Sequence, residues 1–454
     1  MTGGAPGRDT DPEGPRKRLT PLDGAVLVAG VVLGVGVFRS PPVVAANVGS
    51  ASVYLALWLV GGLISLAGAL CYAELATAHP DAGGEYTLVT RAYGAVPGFL
   101  VAWSRMTVVQ TGSIAILSFV FGDYVADLAG LGPSAPPALA AAVVVALTGV
   151  NVAGLRAGRW TQWILTASAA AAAATVVVAG LLLAGSGGAP APGGDPAADP
   201  SLGLALVFVL LAYGGWSEGA YLSAEIRGGA RRIGRTLAWG TTAVTLLYLA
   251  VNAAYLSGLG LEGVAGSDAV AAGLMRRAVG ERGADAVGAA VLLAALSSAN
   301  ATVLTGGRSS YALGRDWPLF RKLGSWRDDR GAPVNALLLQ GGVALGLVGF
   351  GAARRGGFEA MVAYTAPVYW LVLLATGAAV IVLRRREPGR ERPYRVPFYP
   401  ATPVLFCAAA GLMVWSAVRN AGDGALLGLA VLAAGLPLAL RARRRPEEDP
   451  PGGE

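Results

Sequence analysis

Twelve apolar blocks follow one another along this chain of 454 residues, near 22–46, 52–76, 96–126, 136–154, 161–185, 202–224, 236–258, 286–312, 334–352, 360–383, 402–419 and 424–441. A helix that crosses a bilayer needs about 20 predominantly apolar residues, and each block meets or approaches that length. Charged residues make up only 14% of the chain, against about 25% in an ordinary soluble domain. The chain therefore lacks the polar surface to cover a water-facing body of its size, and its charges fall between the apolar blocks. The expected fold class is an all-α polytopic membrane protein of about twelve transmembrane helices.

The connecting segments carry a directional signal, because Lys and Arg accumulate in cytoplasmic loops. With Arg16, Lys17 and Arg18 inside, the inside loops hold His79 and Arg91, then Arg156 and Arg159, then Arg227, Arg231, Arg232 and Arg235. Later inside loops hold Arg315 to Arg330, a run from Arg384 to Arg395, and Arg441 to Arg445. The opposite loops are poor in cations: 186–201 has Asp195 and Asp199 without Lys or Arg, and 47–51 has no charge. Two exceptions are Arg276, Arg277 and Arg282 in 259–285, diluted by Glu262, Asp268, Glu281 and Asp285, and the pair Arg354 and Arg355. This pattern places a multi-pass protein in the cell membrane with both termini cytoplasmic. It also accounts for the net charge of +7 without a nucleic-acid partner. Residues 1–20 and 442–454 are expected as tails, the first disordered and without a cleaved signal peptide. Cys71 and Cys407 lie inside apolar blocks and imply no disulfide framework, and the lone His79 leaves no His-rich metal site.

Two blocks carry glycines where a helix can break. The first contains Gly30, Gly34, Val35 and Gly36, followed by Pro41 and Pro42; the sixth contains Tyr213, Gly214, Gly215 and Trp216. Glycine lowers the cost of leaving the helix. An interrupted helix exposes free N–H groups where one half begins and free carbonyls where the other ends. A zwitterionic amino acid offers a carboxylate to the first and an ammonium to the second. Glycines at this spacing also serve simply to let helices approach closely. Breaks in the first and sixth blocks suit an inverted repeat of five plus five spans, 21–185 and 201–383, with two further helices over 402–441.

Six ordered motifs carry a family resemblance. They are Gly34-Val35-Gly36-Val37-Phe38-Arg39-Ser40-Pro41, Ala69-Leu70-Cys71-Tyr72-Ala73-Glu74-Leu75, Gly83-Gly84-Glu85-Tyr86, Ala212-Tyr213-Gly214-Gly215-Trp216, the stretch from Asn300 and Arg308 to Asp316, and Arg392-Pro393-Tyr394-Arg395-Val396-Pro397. The chain resembles the amino acid–polyamine–organocation superfamily, and within it the bacterial L-type amino acid transporter-like permeases. The resemblance implies a carboxylate site at the N–H groups of Gly34, Val35 and Gly36. It implies an ammonium site at carbonyls near Val32 and around Leu211, Ala212 and Gly214, beside Gly215. Tyr213 and Trp216 would line the floor, or else simply pack. Three departures stand out: Val35 replaces the usual Ser, Leu211 replaces an aromatic gate, and the stretch 162–172 lacks the lysine that many relatives carry.

Ionisable residues inside spans are functional candidates. Glu218 would pair with a buried arginine, carry a coupling proton or contact the ammonium; Arg105 is its natural partner. Arg39 would snorkel to the outer surface or draw in a carboxylate, and Glu74 would hold an inside-gate network. The amphipathic stretch from Asp268 to Val279 suits an outer lid. An intramembrane enzyme would need a paired nucleophile and base, and Asp123 and His79 do not supply one. No G-x-x-x-x-G-K-[ST] loop exists for a nucleotide-driven pump, and no cofactor is called for. Ser297 and Ser298 alone do not assemble a sodium site. Transport of a polyamine or nucleobase on the same fold, a channel or a sensor remain as alternatives, as does a homo-oligomer.

Overall fold

The computed structural model describes residues 20–185, 201–222, 230–267, 269–353, 357–420 and 422–441. The expectations on both tails, the 186–200 loop, Arg227, Asp268, Arg354 and Arg355 fall outside these residues.

The described chain is helical, with eleven helices long and apolar enough to cross a membrane. A shorter apolar stretch, Leu202–Glu218, stands where the sixth block was expected. It is short because the helix stops in mid-block, so the protein is an all-α multi-pass membrane protein with its sixth span divided. The first span is divided as well, into Pro21–Val32, Gly36–Arg39 and Pro41–Ala46. The others are single helices or nearly so: Ala51–Ala78, Ala95–Leu128 with one wider turn, Ala135–Ala153, Leu155–Gly185, Ala230–Ala265, Glu281–Asp316, Val334–Ala353, Gly357–Arg386, Ala401–Asn420 and Gly422–Arg441. Among the described residues, two short α-helices lie between spans, Glu85–Tyr93 after the second and Val270–Val279 after the seventh, and a 3-10 helix, Pro318–Gly324, follows the eighth.

Starts are set by local chemistry. Thr20 and Asp23 form a reciprocal capping box ahead of Pro21, while Ser50 and Ser201 accept the N–H groups of Val53 and Leu204. Each satisfies a donor that the first helical turn leaves unpaired. Arginines close the last turns of the tenth and twelfth spans, where a cation meets the negative end of the helix dipole.

The largest apolar cluster gathers around the two divided spans. It includes Val32, Leu33, Val35 and Val37 of the first, Val209, Leu210, Ala212, Tyr213 and Trp216 of the sixth, and side chains of the second, fifth, seventh and eighth. The eleventh and twelfth spans are the least buried. Both breaks are thus held at the centre of the bundle, away from lipid.

Candidate substrate site

The helix Pro21–Val32 ends at Leu33, and the Gly34 N–H turns back onto the Val32 carbonyl at 2.7 Å. The helix then resumes at Gly36, so the amides of Val35, Gly36 and Val37 have no helical turn ahead of them to accept. Among the described residues none of the three has a hydrogen-bond acceptor. These are the orphan donors that any helix start leaves, placed here in the protein interior. In the sixth span, Tyr213 and Gly214 donate to the carbonyls of Val209 and Leu211, both at 3.1 Å. Gly215 then takes φ +108°, a conformation that side-chain-bearing residues rarely adopt, and the chain continues as a 3-10 helix, Trp216–Leu222.

The two breaks press on each other. A Cβ on Gly36 would lie 2.5 Å from the Cα of Ala212, and one on Gly215 would lie 2.3 Å from the Cγ1 of Val31. The Tyr248 hydroxyl of the seventh span hydrogen-bonds the carbonyls of Val32 and Ala212, the latter at 3.3 Å. The glycines of the first span divide between two duties. Gly30 admits Gln162 and Thr166, to which its Cβ would come within 2.0 and 2.2 Å, so it serves helix packing. Gly34 packs on Ser298 (2.4 Å) and also belongs to the break.

Several residues named from the sequence meet here, though not all with free groups. Gly34's amide is already used on Val32, whose carbonyl also takes Tyr248, while the amides of Val35 and Gly36 are open. Leu211 is 39% exposed beside the break, and Ala212 is buried against Gly36. Tyr213 and Trp216 point away into aromatic packing. Tyr213 lies against Trp58 and Tyr248 with its hydroxyl on the Trp58 carbonyl (3.1 Å), and Trp216 lies against Tyr72 and Phe406.

A buried charge cluster sits below the sixth-span break. Arg105 Nη2 donates to Glu218 Oε1 at 2.6 Å, and its Nη1 is 3.4 Å from Glu85 Oε2. Arg105 begins a π-helical turn, Arg105–Val109; such turns insert a residue and re-aim the side chains around it. Gln110 of the same span donates to Glu218 Oε2 at 3.1 Å, and the Tyr72 and Tyr221 hydroxyls donate to the two oxygens of Glu85. Glu85 was visible from the sequence only as one letter of the Gly83–Tyr86 motif. It is buried because the short helix it begins folds back under the bundle, and no periodicity signals that.

Arg39 is exposed at the end of its short helix. Glu74 lies apart from the breaks, at the end of the second span. It accepts both Nε and Nη2 of Arg384 at 2.8 and 2.6 Å and the Val396 N–H at 2.6 Å, with Arg392 Nε at 3.5 Å. Near the first break, the stretch without a lysine contributes an uncharged network. Gln162 donates to Thr166 and Ser297 (both 3.0 Å) and accepts from Asn300, which in turn accepts from Asn151. Ser297 and Ser298 donate to the Gly30 carbonyl, and Ser298 also to that of Val31.

Comparison with known proteins gives the family of the chain. The family model described as "Amino acid permease" matches residues 19–432. The b(0,+)-type amino acid transporter 1 of Rattus norvegicus is 30% identical over 86% of this chain and 81% of its own length. The serine/threonine exchanger SteT of Bacillus subtilis (strain 168) is 27% identical over 96% of this chain and 99% of its own. The large neutral amino acids transporter small subunit 2 of Mus musculus is 29% identical over 95% and 84%. A match that runs through both breaks and eleven of the spans leaves one conclusion: the chain belongs to the amino acid permease family.

Proposed function

We propose that this permease is a secondary transporter that exchanges small neutral amino acids across the cell membrane by alternating access, with both termini in the cytoplasm. The three unpartnered amides of Val35, Gly36 and Val37, beside the broken end of the sixth span, carry this reading. A substrate carboxylate supplies the acceptors they lack, and in a water-poor interior such charge-assisted hydrogen bonds are strong. The ammonium goes to the end of the helix Leu202–Ala212, where helix-terminal carbonyls concentrate negative potential. Val35, Val37 and Leu211 surround the site with hydrocarbon and offer no charge to a substrate side chain, which suits a neutral one. A dication would find the nearby Glu218 already paired with Arg105, so polyamines fit poorly.

The arrangement is best described as repeats 21–185 and 201–383, each opening with a broken span, followed by 402–441 as an outer pair. Movement of the 3-10 segment Trp216–Leu222 would transmit substrate occupancy to Arg105 and Glu85. Competition tests the binding mode. In proteoliposomes, unlabelled serine and threonine should suppress labelled serine uptake, and serine methyl ester, which lacks the carboxylate, should be at least about tenfold weaker, one charge-assisted hydrogen bond being about 1.5–3 kcal/mol. Equal competition by ester and acid would remove the amides from the mechanism.

A further inference from the structure

The geometry points to a second ligand site: the linker between the tenth and eleventh spans binds anionic phospholipid headgroups through Arg385, Arg386 and Arg395 beside the exposed ring of Phe398. The linker region holds six arginines, which divide into two sets of three. Arg384, Arg390 and Arg392 are bonded to the protein itself, Arg390 while remaining exposed. Arg384 pairs with Glu74, Arg390 donates twice to the Ala78 carbonyl (3.1 and 2.9 Å), and Arg392 donates to the carbonyls of Leu383 and Glu387 (3.1 and 2.9 Å). With the Val396 N–H on Glu74 as well, the linker is pinned to the ends of the second and tenth spans.

Arg385, Arg386 and Arg395 are exposed, and among the described residues none has a hydrogen-bond or ion-pair partner. Phe398 is 85% exposed. The linker runs from the last turn of one membrane span, Gly357–Arg386, to the first turn of the next, Ala401–Asn420. It therefore lies at headgroup depth by construction. An exposed phenyl ring at that depth belongs at the boundary of headgroups and acyl chains. Guanidinium groups match phosphate oxygens as paired donors. A signal for topology alone needs cations in the sequence; it needs neither a pinned backbone nor an outward aromatic ring beside them. The surplus of positive charge selects lipids with net negative headgroups over zwitterionic ones, by about fivefold per basic residue, from about 1 kcal/mol each.

The test uses the full chain in nanodiscs of phosphatidylcholine containing a minority of phosphatidylglycerol, with native mass spectrometry of the lipids retained. Four proteins are compared: the unaltered chain, Phe398→Ser, and two triple variants, R385Q/R386Q/R395Q and then R156Q/R321Q/K322Q. The last removes the same charge from exposed cations elsewhere on the face assigned to the cytoplasm. The unaltered chain and the second triple variant should retain phosphatidylglycerol at least about tenfold over its share of the bilayer, and the first triple variant should fall close to parity. Phe398→Ser should lower retention of both lipids without changing their ratio, and it keeps the site testable should the triple variant fail to fold. No enrichment in the unaltered chain, or equal loss in both triple variants, would overturn the proposal. Serine exchange plays no part in this readout, so failure of the transport reading leaves it intact.

Discussion

Gly36 is the residue on which the proposed substrate site depends most directly. Its missing side chain lets two backbones meet, because any Cβ there falls 2.5 Å from the Ala212 Cα and 3.0 Å from the Ala212 carbonyl oxygen. Backbone at that distance cannot rotate aside as a flexible side chain can. Gly36→Leu should therefore separate the two breaks and abolish uptake, while surface expression and detergent-extracted monodispersity stay near normal; transport within about twofold of the unaltered chain would take this contact out of the mechanism. The only histidine, His79, allows a second prediction at this scale. It caps the second span outside the membrane, with Nε2 3.3 Å from Glu387. Burial, then the nearby Arg390, Arg91 and Arg392, push its pKa down to about 3, so the Glu387 contact is that of a neutral imidazole. An unfolded chain takes up this proton near pH 6.5 and the folded one does not, so His79 makes stability fall as pH drops from 6.5 toward 3. Histidine-selective NMR should show a single signal that does not titrate between pH 8 and 5, and an inflection near 6.5 would refute the burial argument.

At the scale of elements, the clearest unit is the join of the third span, the sixth span and the short helix Glu85–Tyr93 at Arg105. One guanidinium faces two buried carboxylates, Glu85 and Glu218. Removing the cation leaves both without their counterion, and breaking a buried pair costs about 3–5 kcal/mol. Arg105→Met should therefore lower the thermal midpoint in detergent sharply, by more than Glu218→Gln, which keeps hydrogen-bonding capacity toward Arg105 and Gln110. Glu218→Gln should also leave the pH profile of uptake unchanged, because both Glu218 oxygens are already engaged, one by Arg105 and the other by Gln110. A shifted profile would make Glu218 a proton carrier. How much of this was legible differs by element. The long spans were, since hydropathy alone decides where a chain crosses lipid, and the ninth block, 334–352, matches Val334–Ala353. The sixth was expected as one block near 202–224, yet its helix stops at Ala212, and glycines announce the possibility of a break without its position. Arg105 and Glu218 were expected to meet because each needs a counterion. Glu85 was not connected to them, since a carboxylate between spans ordinarily faces water and only the fold-back of its helix buries it. The packing of Tyr213 and Trp216 is not legible for a similar reason: which way an aromatic turns at a break depends on Trp58, Tyr248 and Phe406, from three other spans.

The whole molecule is a bundle whose two discontinuous spans lie in its largest apolar cluster, with a buried charge cluster and an arginine-clamped helix end nearby. Such an assembly can pass a zwitterion without exposing side-chain charge, and the cluster at Arg105 must rearrange whenever the segment Trp216–Leu222 moves. An empty carrier would return with three interior amides unpartnered, whereas a loaded one returns with them satisfied. That difference favours exchange over net flow. The most direct measurement is therefore uptake of labelled serine by reconstituted protein, with and without unlabelled serine inside the vesicles. Internal serine should raise the initial rate at least about tenfold, corresponding to about 1.4 kcal/mol off the return barrier. Uptake that is equally fast into empty vesicles would contradict the exchange mechanism, and no uptake of any amino acid by folded protein would contradict the site itself.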